Sequence, residues 1–223
     1  QLKSDLKSSD TREPLLNRRV AAMIFEKPSL RTRVSFESGM QHLGGSFLYL
    51  SGNDVGWGGQ REVIKDFSRV LSSYVDLIVC RAKSHQSVVE LAEYSSCPVI
   101  NALTDLYHPC QALADVLTVM DDGVDLSQQK IAFIGDANNV SRSLAIICAK
   151  LGIAFSIGAP SGYQFEPNFY ASLRAEMPAA ELSQTTDPKQ AVADASFVYT
   201  DVWTSMGQES EQAQRKAAFD GYQ

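Results

Sequence analysis

The sequence is poor in the residues that build metal centres and disulfide frameworks. Its 223 residues include four cysteines and three histidines, with no CxxC pair and no HExxH segment. Their spacing therefore predicts no zinc site and no disulfide scaffold. Most of the cysteines lie in or beside apolar runs, which is typical of buried free thiols in a reducing compartment. We expect a cytoplasmic protein, and no apolar run is long enough to predict a membrane span.

The sequence also lacks an excess of basic residues. Lysine and arginine number 20 against 26 aspartates and glutamates, which gives a net charge of −6. Surfaces that bind nucleic acid or anionic membranes are rich in basic side chains, so neither is expected as a partner. Any basic cluster must then be local, and the notable one is Ser29-Leu30-Arg31-Thr32-Arg33.

Short apolar runs alternate with amphipathic helical patterns along the whole chain. Predicted strands cover residues 20–25, 47–50, 77–80, 99–100, 131–134, 154–157 and 197–199. Predicted helices cover residues 32–43, 63–74, 88–94, 109–120, 140–151, 168–176 and 189–194. Such alternation predicts an α/β fold with two domains, each a parallel sheet flanked by helices, and the active site in the cleft. A polar, glycine-containing hinge at 121–125 divides them into residues 1–122 and 126–223.

The 29–33 segment predicts an anion-binding site. It follows the apolar run 20–25 and Pro28, and it opens a helical pattern. The first turn of a helix carries unsatisfied N–H groups and the positive end of the helix dipole. The guanidinium of Arg31 adds two parallel donors that suit phosphate oxygens. A capping Ser29 with solvated arginines is the alternative, but two cations at a helix start call for a compensating anion.

A second motif begins at His108 and runs through Pro109 and Gln111 to Asp115. Proline suits the first helical position, so His108 lies at the cap and Gln111 in the first turn. The same residues could simply cap the helix, and the motif alone leaves both interpretations open. In parallel sheets, however, ligands bind beyond the carboxyl ends of the strands, where these residues and Arg81 are expected.

Four segments together resemble the aspartate/ornithine carbamoyltransferase family, most closely its ornithine-using members. They are residues 25–37, 108–115, 135–140 and 201–207, in the order that the family has them. The resemblance implies an enzyme that transfers the carbamoyl group of carbamoyl phosphate to the δ-amine of ornithine, a step of arginine biosynthesis. It also implies a homotrimer, with no metal and no organic cofactor.

The resemblance assigns the site residues to the two substrates. Carbamoyl phosphate would be held by Ser29, Leu30, Arg31, Thr32, Trp57, Arg81, His108 and Gln111. Among these, the catalytic residues would be Arg31, Thr32, Arg81, His108 and Gln111. Ornithine would be held by Asn139, Asp201, Ser205 and Met206.

The sequence departs from the family pattern in three places. Leu30 stands where threonine is commoner, and Trp57 stands where the ornithine enzymes carry a glutamine that reaches a neighbouring subunit's site. A tryptophan in this loop resembles the N-acetylornithine branch of the family, which keeps an N-acetylated acceptor as the alternative substrate. An alternative role for Trp57 is packing at a subunit contact. The family's His-Cys-Leu-Pro segment, a late arginine and the closing helix have no counterpart, so we expect a fragment of a complete enzyme. A non-catalytic paralogue that binds carbamoyl phosphate is the remaining alternative.

Overall fold

The structure is a computed structural model that describes residues 14–59, 61–203 and 209–222. These residues form two compact units, one ending at Asp105 and the other beginning at Leu106. Each unit holds a four-stranded sheet in which all paired strands are parallel. The predicted α/β class with two helix-flanked parallel sheets is confirmed.

The first unit is built around a sheet with strand order β2-β1-β3-β4. Its elements are β1 (Val20–Phe25), α1 (Leu30–His42), β2 (Ser46–Ser51), α2 (Gly52–Val55), α3 (Ile64–Ser72), β3 (Leu77–Arg81), α4 (His85–Tyr94) and β4 (Val99–Leu103). The two central strands are buried along nearly their whole length. This explains their continuous apolar sequence, because a strand covered on both faces has no polar side to display.

The second unit has the strand order β7-β6-β5-β8. Its elements are α5 (Pro109–Asp121), a 3-10 turn (Leu126–Gln128), β5 (Lys130–Ile134), α6 (Asn139–Leu151), β6 (Ala154–Gly158), α7 (Pro167–Glu176), β7 (Leu182–Thr185), α8 (Pro188–Val192), β8 (Phe197–Thr200), a second 3-10 turn (Glu209–Glu211) and α9 (Gln212–Ala218). Its core centres on Phe133, Leu144 and Phe155, each at most 1% exposed. Burial of one such side chain stabilises the fold by about 1.5–3 kcal/mol.

Helix α6 shows how the sequence sets the ends of an element. The side chain of Asn138 accepts hydrogen bonds from the backbone N–H groups of Val140 and Ser141, at 2.9 and 3.0 Å. These bonds satisfy two of the free donors at the helix start. At the other end Gly152 takes φ +70°, a left-handed conformation that ends the helix and favours glycine.

Every strand that the sequence predicts is present, and one strand was not predicted. Strand β7 (Leu182–Thr185) lies at the edge of its sheet and has one buried side chain, Leu182. Its short, mostly polar sequence gives little signal. The compact units divide between Asp105 and Leu106 because α5 packs against α6, whereas the predicted hinge at 121–125 lies after that helix. No helix in the part of the chain that the structure describes combines the length and apolarity needed to cross a membrane.

Candidate active site

The predicted site residues follow the strands at which each sheet reverses its order. In the first sheet this reversal lies between β1 and β3, and in the second it lies between β5 and β8. Successive crossovers leave opposite faces of the sheet there, which opens a crevice beyond the carboxyl ends of the two strands. Residues 29–32 follow β1 and Arg81 ends β3; residues 136–139 follow β5 and Asp201 follows β8. Each unit thus has its own ligand-binding edge.

The start of α1 has the geometry that the 29–33 motif predicts. Ser29 is the N-cap residue, in an extended conformation with φ −156° and ψ 117°. Its hydroxyl group accepts a hydrogen bond from the backbone N–H of Thr32 at 3.3 Å and donates one to the hydroxyl oxygen of Thr32 at 3.0 Å. Leu30, which stands where threonine is commoner in the family, is 78% exposed. Its backbone N–H group is still available at the start of the helix. Both hydroxyls and the first-turn N–H groups lie at one helix end.

The two arginines of this motif differ in their partners. Arg33 donates to Glu37 at 2.7 Å, and its guanidinium lies 3.9 Å from the centre of the Tyr49 ring. Arg31 is exposed and forms no hydrogen bond or ion pair with any residue that the structure describes. Arg33 is therefore held by its own unit, while Arg31 is available to an anion.

Arg81 supplies a second uncompensated cation at the same edge. It is 6% exposed, and its Nε is buried without a hydrogen-bond partner in the described part of the chain. Burial lowers the pKa of its guanidinium. The register pairs Arg81 with Phe25 on β1, and its carbonyl accepts from Glu26 N–H at 2.9 Å, three residues before Ser29. A buried donor of this kind calls for an acceptor, and an anionic ligand supplies one.

The carboxylate of Glu26, which follows β1, is engaged by Lys83. Glu26 is engaged by the next residues beyond Arg81: it accepts from Lys83 N–H at 2.7 Å, and its carboxylate lies 3.4 Å from Lys83 Nζ. The charges of Arg31 and Arg81 therefore remain for a ligand such as a phosphate.

Trp57, which the resemblance places in the carbamoyl phosphate site, is buried in its own unit. Its side chain is 4% exposed and packs edge-on against Phe67, with ring centres 5.5 Å apart, inside the core of the first unit. Reaching a neighbouring subunit's site would require an outward-pointing side chain. In this conformation Trp57 is a core residue of its own unit, held because its large apolar ring gains more by burial than by exposure.

In the second unit, a buried serine joins the starts of α5 and α6. The backbone N–H of His108 donates to Ser143 Oγ at 2.8 Å, and Ser143 Oγ donates to the carbonyl of Asn139 at 2.8 Å. Ser143 is 5% exposed. The chain of bonds fixes His108, at the N-cap of α5, beside Asn139, the first residue of α6. No local sequence pattern indicates this role of Ser143, because its partner lies 35 residues away.

A second polar cluster surrounds Gln111. Its Nε2 donates to Asp115 Oδ1 at 2.8 Å. Burial raises the pKa of the Asp115 carboxyl; Asp201 raises it further, while Gln111 and the Tyr199 hydroxyl oppose the rise. Asp115 Oδ2 is buried without a hydrogen-bond partner among the described residues. Burial raises the pKa of Tyr199 to about 12, helped by the two carboxylates. The Oδ1 of Asp201 accepts a hydrogen bond from the backbone N–H of Val202 at 2.7 Å.

The turn after β5 is held by a buried ion pair. Arg215 on α9 donates from Nη1 to Asp136 Oδ2 at 2.8 Å and to the carbonyl of Trp203 at 3.2 Å, and from Nε to Glu211 Oε2 at 3.0 Å. Burial lowers the pKa of Arg215, but the bonds to Asp136 and Glu211 outweigh it and the pKa is raised. Arg215 thus ties together the segments on either side of residues 204–208. The predicted ornithine ligands Ser205 and Met206 lie outside the described residues.

The described residues contain no group of three or more histidine, cysteine, aspartate or glutamate side chains that could hold a metal ion. All four cysteines are free thiols. The side chains at the two candidate edges carry arginine, hydroxyl, amide and carboxylate groups.

Comparison with protein families assigns both halves of the chain. Residues 1–121 match the model for the aspartate/ornithine carbamoyltransferase carbamoyl-P binding domain. Residues 127–223 match the model for the Asp/Orn binding domain of the same family.

Two similar proteins and one solved structure are named ornithine carbamoyltransferase. The chain is 48% identical to an ornithine carbamoyltransferase of Halalkalibacterium halodurans, over 100% of the chain and 70% of that protein. It is 49% identical to an ornithine carbamoyltransferase of Bacillus subtilis, over 95% of the chain and 66% of that protein. The crystallised ornithine carbamoyltransferase of Pyrococcus furiosus superposes with a TM-score of 0.88 at 43% identity, over 97% of this chain and 69% of that one. The chain spans about two thirds of the length of these relatives, and it belongs to the aspartate/ornithine carbamoyltransferase family.

Proposed function

We propose that the protein transfers the carbamoyl group of carbamoyl phosphate to the δ-amine of ornithine, giving citrulline and phosphate. The observation that carries the proposal is the pair of uncompensated arginines, Arg31 and Arg81, at the ligand edge of a domain whose family binds carbamoyl phosphate. The names of the similar proteins support ornithine as the acceptor. We retain residues 1–122 and 126–223 as the two substrate domains.

The phosphate group suits the first unit. Arg31 and the free N–H groups at the start of α1 would hold the phosphate oxygens and stabilise the charge that builds up as phosphate departs. The resemblance assigns Thr32, Arg81 and His108 to the carbonyl oxygen of the carbamoyl group, where negative charge develops in the transition state. Removing one donor of such an oxyanion site typically lowers the rate by about 10²–10³.

The reaction itself needs one bond made and one broken. The neutral δ-amine of ornithine attacks the carbamoyl carbon, a C–N bond forms, and the carbonyl electron pair moves to oxygen. When the tetrahedral intermediate collapses, the C–O bond to phosphate breaks and phosphate leaves with the electron pair. The proton lost by the amine ends on the phosphate. The protein's contribution is to align the two substrates and to stabilise the charged oxygens.

The second unit supplies groups for an amino acid. Asp201 offers a carboxylate for the α-ammonium group, and Asn139 offers an amide for the α-carboxylate, with Ser205 and Met206 completing the set. The observation behind an N-acetylated acceptor was Trp57, and its burial in the core of its own unit removes that support. Ornithine is therefore the single acceptor that we propose.

A parallel assay tests the proposal directly. The full-length protein is supplied with carbamoyl phosphate and, separately, ornithine, N-acetylornithine or aspartate, and phosphate release and the carbamoylated product are both measured. We expect turnover with ornithine and little with the other two. A preference for either of the others would refute the acceptor, and no turnover with any of them would favour the non-catalytic paralogue.

Two substitutions separate the substrate domains. Arg31→Ala should abolish measurable binding of carbamoyl phosphate by calorimetry, while Asp201→Ala should retain it and raise the KM for ornithine. Equal loss of carbamoyl phosphate affinity in both variants would contradict the division of labour.

We further propose a cytoplasmic homotrimer as the working unit, on the strength of the family resemblance. Sedimentation of the full-length protein should then give three times the mass of one chain. A monomer at micromolar concentration that retains full activity would refute the trimer.

A further inference from the structure

Asp115 is not among the site residues that the resemblance implies, yet it contacts Gln111, which is one of them. It accepts a hydrogen bond from Gln111 Nε2 at 2.8 Å, one helical turn further along α5. An Asp–Gln pair that merely supported a helix would lie in solvent, where the carboxylate stays hydrated. Asp115 is instead partly buried, and its pKa is raised first by that burial and then by Asp201. Holding a carboxylate in this place is costly, which points to a further role.

The contact decides which way the amide of Gln111 faces. An ionised carboxylate has only acceptor atoms, so the NH₂ end of the amide must turn toward Asp115. Because the amide is planar and rigid, its Oε1 then points away from Asp115. An acceptor at that position is what the NH₂ group of a carbamoyl ligand requires, while an NH₂ group there would repel it.

From this geometry we infer that Asp115 is a positioning residue, which fixes Gln111 so that its Oε1 accepts from the NH₂ group of carbamoyl phosphate. The inference rests on the proposed function. It adds the part of the site that distinguishes carbamoyl phosphate from acyl phosphates that lack the amide, such as acetyl phosphate. Acetyl phosphate has the same phosphate and carbonyl groups, with a methyl group in place of NH₂.

Tyr199 and Asp201 complete the surroundings of the carboxylate. The Tyr199 hydroxyl lowers the pKa of Asp115 and Asp201 raises it, so the two act on Asp115 in opposite directions. Tyr199 is itself fixed by stacking on Phe133, with ring centres 5.4 Å apart and planes 18° from parallel. Asp115 is therefore held by the amide that it orients, and the charge of Asp201 and the phenol of Tyr199 act on its pKa.

The test compares the two ligands in the full-length protein. Affinities for carbamoyl phosphate and for acetyl phosphate are measured by calorimetry in the wild type and in Asp115→Asn. Asparagine keeps the shape of the side chain but offers both a donor and an acceptor, so the amide of Gln111 can face it either way. We expect the affinity for carbamoyl phosphate to fall by about tenfold, the size of one lost hydrogen bond, and the affinity for acetyl phosphate to stay unchanged.

Two controls isolate the orientation of the amide. Asp122→Asn makes the same chemical change at the exposed far end of α5 and should leave both affinities as they are. Gln111→Met removes the amide and should reduce the preference for carbamoyl phosphate over acetyl phosphate to the level of Asp115→Asn. The variant that carries both substitutions should reduce this preference no further. Should Asp115→Asn fail to fold, Asp115→Ala frees the amide in the same way and is measured against the same two ligands.

The outcomes separate this inference from the proposed function. If the wild type turns over carbamoyl phosphate and Asp115→Asn keeps full discrimination, the inference is overturned and the proposed function stands. An equal loss of affinity for both ligands would show that Asp115 has a merely structural role, and it would also overturn the inference. A wild type that neither binds nor turns over carbamoyl phosphate would overturn the proposed function and the inference with it.

Discussion

The ion pair between Arg215 and Asp136 should be the most stability-sensitive polar contact of the second unit. The Arg215 side chain is 8% exposed and that of Asp136 is 13% exposed. Arg215→Met keeps an apolar chain of similar length, but it leaves the Asp136 carboxylate with the neutral amide of Asn138, 3.0 Å away, in place of a cation. Removing one partner of a buried ion pair costs about 3–5 kcal/mol, since the other charge is left uncompensated.

This free-energy change is large enough to measure in two ways. For a chain of this length 1 kcal/mol lowers the melting temperature by about 2–4 °C, so Arg215→Met should lower it by on the order of 10 °C. Urea unfolding of the same variant should show the corresponding fall in the free energy of unfolding. Adding Asp136→Asn should restore part of the loss, because the stranded charge is then removed as well.

Arg142→Met is the matched control for this prediction. Arg142 donates to Glu166 at 2.7 Å, but the Glu166 side chain is 69% exposed, so the carboxylate that remains is hydrated. The pair contributes about 0–1 kcal/mol. The Arg142 guanidinium also lies 4.4 Å from the centre of the Phe169 ring, a contact worth about 0.5–1 kcal/mol. If Arg215→Met destabilised the protein no more than Arg142→Met does, the reasoning from burial would be refuted.

Three further predictions follow from other contacts. A hydrogen bond from Val20 N–H at 2.9 Å lowers the pKa of the Asp76 carboxyl, so its stabilising effect is present above the ordinary pKa of aspartate and fades as the pH falls through the lowered value; melting curves of wild type and Asp76→Asn should therefore converge in acid. Burial raises the pKa of the Cys80 thiol, and that of Cys148 to about 12; mass spectrometry should find neither alkylated by iodoacetamide at pH 8 until the protein unfolds. Phe133 is fully buried, and Phe133→Ala should cost about 3–5 kcal/mol in urea unfolding.

The sequence predicted the sheets well because their strands carry their own signal. The bounds of β1, Val20–Phe25, agree residue for residue with the predicted strand, and its continuous apolar run reflects burial on both faces. The polar edge strand Leu182–Thr185 has no such run and was missed. Local pattern thus reports burial, and it is silent where a strand is exposed.

The candidate site divides along the same line. Motifs in which the partners are near in sequence could be interpreted directly: Ser29 capping Thr32 is a contact between residues three apart. The pairing of Gln111 with Asp115, four residues on, was also accessible from helical spacing, although its importance was not evident. The packing of Trp57 on Phe67 was not accessible in this way, because the two residues lie ten positions apart and not on the same element.

By itself, the sequence determined the alternation of strands and helices, the capped start of α1 and the family to which the chain belongs. These properties depend on local spacing and on residue types at helix ends, which chain order alone specifies. Only the tertiary structure decided that Arg31 rather than Arg33 is available to a ligand, that Ser143 joins the starts of α5 and α6, and that Arg215 meets Asp136. Each of these depends on which distant side chain satisfies a charge or a hydrogen bond, and that is settled when the sheets form and bring residues 35 or 79 positions apart into contact.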